Sequence, residues 1–198
     1  MLLKELVPVA DADLPVAAFR AHLQLGSGFG EDTAQDEVLR PQLRAALMAI
    51  EGKTGKALLS RSHKLVVTAW RNLGQQVLPI APVSTITSFE ITDIMGGLEG
   101  IDPSRYRLVQ DAHEPVVQGM GFSLPTIPVG GTADFVFDAG FGTWDDVPPD
   151  LAQAVMLLAT HYYENRSASR VRVEPLPMAV ASICRRYMPI RVSGARRI

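Results

Sequence analysis

The run Val147-Pro-Pro-Asp-Leu-Ala-Gln-Ala-Val-Met-Leu-Leu-Ala-Thr-His-Tyr-Tyr-Glu-Asn-Arg166 restricts the fold more than any other stretch of the chain. Leu151, Ala154, Val155, Leu158, Ala159 and Tyr162 recur at i, i+3, i+4, i+7, i+8 and i+11, a single helical face. Ala152, Met156 and Tyr163 widen that face. A helix apolar over so much of its circumference has to be covered by other elements. Pro148 and Pro149 suit its first turn, where the missing N–H groups have no intrahelical acceptor, and Asp150 complements the positive end of the helix dipole. Its polar end, Glu164-Asn165-Arg166, is where it meets solvent or a partner.

Two helices are expected earlier. One runs from about Leu14 to Leu25, with Val16, Phe19 and Leu23 as its stripe, after an irregular lead-in over residues 1–13. Gly26-Ser-Gly-Phe-Gly30 stops it. The second covers roughly 32–53. Leu39, Leu43, Leu47 and Ile50 share one face, with Val38 and Ala46 beside it. Pro41 lies within it and either marks a start near Asp36 or kinks a longer helix. The pattern then changes to β-branched and aromatic runs at Lys64–Trp70, Val83–Thr92 and Thr132–Ala139, and to a hairpin of Arg105–Val109 and Pro115–Gln118 around Asp111-Ala-His-Glu114. In Val83–Thr92, simple alternation puts Val83, Thr85, Thr87, Phe89 and Ile91 on one face. A short last helix follows Pro177, with Met178, Ala181 and Cys184 on one face and Val180, Ile183 and Tyr187 beside it, and Pro189 ends it.

These segments predict an α+β fold. A helical layer has two N-terminal helices, the long central helix near the C-terminus and a short last helix. A small antiparallel β unit of five or six strands is inserted into it, and an extended C-terminal tail follows. The expected division is a helical domain of residues 1–56 and 142–187, an inserted β subdomain of 57–141, and a basic tail of 188–198.

Composition removes several function classes. The chain has 198 residues, 47% of them hydrophobic and 20% charged, enough for a real core. Its one cysteine, Cys184, allows no internal disulfide and no multi-thiolate zinc site. The N-terminus does not read as a signal peptide and no run is long enough to span a bilayer, so synthesis in the cytoplasm and no membrane partner are expected. His22, His63, His113 and His161 stand in unrelated segments without a second histidine one turn away. The Gly26–Gly30 run follows a helix and lacks the lysine of a phosphate loop. Asp145, Asp146 and Asp150 fit no calcium spacing. No catalytic residue, no cofactor and no metal is therefore expected.

The net charge of −2 conceals an asymmetry. Residues 166–198 hold eight arginines and one acid, a net of +7, and the rest of the chain has a net of −9. An arginine-rich end on an acidic body suits an acidic partner, protein or nucleic acid. Arg185, Arg186, Arg191, Arg196 and Arg197 interleave with Tyr187, Met188, Ile190, Val192 and Ile198, a cationic and apolar segment able to order on a partner.

Several of these runs together resemble a known family. They are Thr54-Gly-Lys-Ala-Leu58, Leu78-Pro-Ile-Ala-Pro-Val-Ser-Thr-Ile86, Phe135-Val-Phe-Asp-Ala-Gly-Phe-Gly142, the Val147–Val155 helix start, Tyr162-Tyr-Glu-Asn-Arg166 and Leu176-Pro-Met-Ala-Val180. They resemble the head–tail connector (adaptor) proteins of long-tailed bacteriophages and prophages, and most of all the adaptor of a gene transfer agent particle. The resemblance covers nearly the whole chain; Pro41 and the long middle, residues 93–131, depart from it. It implies a non-enzymatic virion structural protein in the particle neck. Such adaptors form a homo-oligomeric, dodecameric ring beneath the portal protein and extend the DNA channel, through which DNA passes without sequence-specific binding. They dock the next neck protein, a stopper. Carried over, Arg185, Arg186, Tyr187, Met188, Ile190, Arg191, Val192, Arg196, Arg197 and Ile198 are the portal-binding residues. Glu164, Asn165 and Arg166 are candidates for subunit or tail-orienting contacts. The alternative is a DNA-packaging accessory or nucleic-acid-binding protein using the same arginines; phosphate neutralisation would make its binding strongly salt-dependent.

Overall fold

A computed structural model describes residues 1–25, 33–166 and 176–189. The fold is α+β. The helices are α1 (Val16–His22), α2 (Thr33–Thr54), α3 (Pro149–Glu164) and α4 (Met178–Tyr187). The strands are β1 (Leu2–Glu5), β2 (Arg61–Val67), β3 (Gln75–Val77), β4 (Val83–Thr92), β5 (Leu98–Gly100), β6 (Tyr106–Val109), β7 (Val116–Gly119) and β8 (Thr132–Ala139).

The helical layer packs as the periodicity predicts. Phe19, Leu39, Leu43, Ala46, Leu47 and Ile50 meet Leu151, Ala154, Val155, Met156, Leu158 and Ala159 in one cluster, and α4 adds Val180 and Cys184. Two faces differ from expectation. Val38 is exposed rather than on the buried edge of α2. In α4, Met178 is exposed, and the inward set is Cys184 with Val180, Ile183 and Tyr187, the residues expected beside the face rather than at its centre. That set also follows i, i+3, i+4, i+7, shifted round the helix. Helix α2 continues unbroken past Pro41. Pro41 and Glu37 both lie on the exposed side, so the Glu37 carbonyl that loses its donor is open to water.

The β unit is a sandwich. Five strands pair antiparallel in the order β1-β2-β8-β4-β5 and three in the order β3-β7-β6. Between them lie Leu65, Val67, Phe89, Ile91, Phe135, Phe137, Leu78 and Val117. Phe89 stacks on Phe135 at 4.3 Å and meets Tyr106 edge-on at 5.4 Å. Phe89 and Phe135 are cross-strand partners within the five-stranded sheet, and the Phe89–Tyr106 pair joins that sheet to β6 of the other.

The β unit departs from expectation in four places. Residues 1–13 are not wholly irregular, because β1 pairs with β2 along Leu2↔Val66 to Glu5↔His63. The β-branched run is strand only to Val67; Trp70 turns inward, with its Nε1 donating to the Pro125 carbonyl at 2.8 Å. In β4, register shifts at Val83/Thr85 and Ile86/Ser88 break simple alternation, so Val83, Phe89 and Ile91 are buried while Thr85 and Thr87 face solvent. With β3 and β5, each of three residues, residues 57–141 hold seven strands rather than five or six.

The passage from sheet to helix is tight. Gly140 (φ +139°) and Gly142 (φ +134°) adopt backbone that favours glycine, and a Cβ on Gly140 would fall 2.4 Å from the Ser60 Cα. Asp146 accepts hydrogen bonds at 2.8 Å from both the Thr143 amide and hydroxyl, capping a short turn over Trp144–Asp146 that leads into α3. Those hydrogen bonds hold the Asp146 carboxyl below its usual range.

Candidate functional site

The two ends of the helical layer carry the residues singled out in the sequence. At the far end of α3, Asn165 donates through Nδ2 to the His161 carbonyl at 2.8 Å, closing the last turn. Arg166 lies over the Tyr163 ring, 4.2 Å from its centroid, and donates to the Tyr163 carbonyl at 2.6 Å. These two side chains are therefore engaged within the subunit. Glu164 is exposed. The three residues precede 167–175, which lie outside the described residues.

The last turn of α4 returns to the start of α3. Tyr187 donates its hydroxyl to Asp150 Oδ1 at 2.5 Å, and Arg186 donates to Asp150 Oδ2 at 2.9 Å. Burial, then the hydrogen bond to the Asp150 carboxylate, pushes the Tyr187 hydroxyl up to about 12. Asp150 thus does more than complement the α3 dipole; it fixes where the chain leaves α4. Arg185 is exposed, Met188 half-buried and Pro189 exposed. Ile190, Arg191, Val192, Arg196, Arg197 and Ile198 lie outside the described residues.

Two buried polar groups were not read from the sequence as structural anchors. Arg61 donates to Glu51 at 2.7 Å and 2.9 Å and to Glu5 at 2.8 Å, tying β2 to α2 and β1. Glu51 Oε1 also accepts the Leu58 amide at 2.7 Å. Lys56, inside the Thr54–Leu58 run, is 2% exposed; its Nζ donates to the Ala112 carbonyl and lies 3.3 Å from His113 Nδ1. Burial lowers its pKa. It holds the β6–β7 turn, which Asp111 shapes by accepting the His113 and Glu114 amides. The signal was a lysine between a helix end and apolar Ala57 and Leu58, a position with no path to solvent.

His63 is buried, stacked on Phe137 at 5.8 Å, and burial lowers its pKa. Cys184 is buried in the helical core, which raises its thiol pKa. Among the described residues no group of three or more His, Cys, Asp or Glu is placed to hold a metal ion, and no helix is long and apolar enough to cross a membrane.

No family model and no curated protein matches the chain. Solved structures do. A chain in the neck of an empty gene transfer agent particle, computed with C6 symmetry, is 45% identical with a TM-score of 0.89, the match covering 99% of this chain and 100% of that one. The chain belongs to the adaptor-like neck proteins of gene transfer agents. A chain in the virion of a native particle is 44% identical (TM-score 0.86), and one in a native neck computed with C12 symmetry is 41% identical (TM-score 0.83). Each of these matches again covers 99% of this chain and 100% of the other. At this identity over full length the gene transfer agent neck protein shares the long middle as well as the helical layer, so residues 93–131 belong to the family's architecture here.

Proposed function

We propose that this protein is the structural head–tail adaptor of a gene transfer agent particle, a ring component without enzymatic activity. The observation that carries this is the full-length similarity to chains of particle necks solved with sixfold and twelvefold symmetry. On this reading copies of the chain form a dodecameric ring beneath the portal protein. The ring continues the DNA channel and receives the stopper on its other side. The helical layer is the scaffold of each copy, the β unit is an inserted subdomain, and the tail is the portal-reaching part.

Two contacts bear on how that part is rooted. Arg186 and Tyr187 are held on Asp150, so they act as the root of the tail. On this reading Arg185, Met188 and the residues after Pro189 engage the portal. Glu164–Arg166 set the exit from α3 toward 167–175.

Removing residues 190–198 tests the assignment. The truncated protein keeps its fold, by circular dichroism and thermal melting, and no longer joins portal-bearing heads. Truncated protein that still assembles normal tailed particles would refute it. A DNA titration at varied salt separates the alternative. An adaptor gives little retention of DNA, whereas a packaging accessory gives strong retention that falls steeply with salt.

A further inference from the structure

Among the described residues both outer edges of the five-stranded sheet are unpaired: β1 bonds only to β2, and β5 only to β4. Four strand spacings separate them, about 19 Å at the usual interval between strands. Short edge strands normally carry charge to discourage pairing. Here both edges also carry apolar side chains in solvent; the β5 edge is acidic, whereas the β1 side carries exposed Lys4 and Arg71 together with an exposed Glu114.

At the β5 edge, Ile94, Met95 and Leu98 are 73%, 91% and 69% exposed. The turn that presents them is stiff. Asp93 accepts the amides of Met95 and Gly97 through one carboxylate oxygen, both at 2.8 Å, and its carbonyl accepts the Gly96 amide at 3.1 Å. Residues 72–104 contain no lysine or arginine, while Glu90, Asp93, Glu99 and Asp102 are acidic. Met95 is thus a fixed apolar knob in an acidic setting.

The opposite edge offers a receptacle. Beside β3 and the N-terminal end of β1 is a hollow of about 290 Å³, lined among others by Met1, Arg71, Gln75, Val77 and Glu114. Leu73 at its margin is 69% exposed, as is half of Leu2. Arg71 is the exposed cation of the hollow and Glu114 its exposed acid; on β1, Lys4 is exposed and Glu5 is taken up by Arg61.

We propose that these two edges are the two halves of one interface between successive copies of this chain. The Met95 turn of one copy seats in the Arg71–Val77 hollow of the next, with Glu99 toward Arg71. A rotationally closed ring needs two different, mutually complementary patches on the same chain, and this pair meets that condition. A two-fold pairing of like edges does not, since it sets acid against acid. Similar chains occur in necks solved with C6 and C12 symmetry, and under such symmetry any lateral contact between neighbours repeats round the axis. Holding Met95 on a rigid turn lowers the ordering cost of each contact. The inference rests on the ring reading above and assigns that ring a lateral contact through the β unit.

Particles assembled with a Met95→Cys, Arg71→Cys chain test it with a short bis-maleimide. The only natural cysteine, Cys184, is buried, and a bridge between the two new thiols within one copy would leave that copy monomeric in size, so only links between copies give multimers. The double variant should give a ladder of linked multimers while each single variant stays monomeric. As a second measurement, Glu99→Arg should reduce assembled necks at least about tenfold, and Arg71→Glu added to it should restore them. If the chain is present in the particles but the double variant remains monomeric, or Met95→Cys alone yields dimers, the lateral contact is wrong and the ring reading stands. If the unsubstituted chain is absent from purified particles, both fall together.

Discussion

Replacing Asp150 with alanine should loosen α4 without disturbing the sandwich. The carboxylate accepts Tyr187 at 2.5 Å and Arg186 at 2.9 Å, and it lies in the first turn of α3. A hydrogen bond to a charged acceptor is worth about 1.5–3 kcal/mol. The Arg186 side chain is 74% exposed, so its ion pair adds only about 0–1 kcal/mol. Loss of the favourable dipole interaction adds about 0.3–1 kcal/mol. The expected loss is about 2–4 kcal/mol, most of it from Tyr187. Urea unfolding measures the total, and amide exchange locates it. Protection should fall over Met178–Tyr187 and be kept in β2, β4 and β8. In a cycle with Tyr187→Phe, the two substitutions should couple by about 1–2 kcal/mol. Coupling near zero, or exchange that rises equally throughout the chain, would refute the argument. The same pair sets a pH dependence. Tyr187 titrates higher in the folded chain than its ordinary value of 10.0, at about 12. Its contribution is therefore complete below pH 10 and is lost as pH rises through about 12, and Tyr187→Phe should flatten that part of the stability curve.

Two further substitutions probe the junction between helices and sheets. Arg61→Met leaves Glu51 largely buried without its guanidinium, and chemical denaturation should show a loss of about 3–5 kcal/mol, partly recovered when Glu51→Gln is added. Gly140→Ala forces a Cβ against the Ser60 backbone at positive φ, and a loss of about 2–4 kcal/mol in the same assay is expected.

The helical layer was legible because its signal is local. Leu151 to Ala159 declare their buried face by spacing alone, and the structure buries them. Strand β8 was legible for the same reason, its alternation of Ala133, Phe135 and Phe137 surviving intact. Strand β4 kept its bounds but not its faces, because two bulges, fixed by pairing with β8, reset which side chains turn inward. Strand β1 was invisible: Leu2–Glu5 has no alternation of its own and exists because β2 offers it a free edge. Strands β3 and β5 are too short to show a period. At the candidate site, Arg186 and Tyr187 were picked out for their charge and aromatic character. Their attachment to Asp150 joins residues 36 and 37 positions apart, which no local pattern encodes. The Ile94-Met95 turn could have been suspected, since two large apolar residues between Asp93 and Gly96-Gly97 have no helix or strand to serve.

The adaptor assignment is tested most directly by electron cryomicroscopy of the neck of the particle that carries this protein. The account predicts density for this chain in a ring directly beneath the portal, with residues after Pro189 reaching into the portal and the β units touching edge to edge. Density for the chain elsewhere in the particle, or a ring beneath the portal built from a different protein, would contradict it.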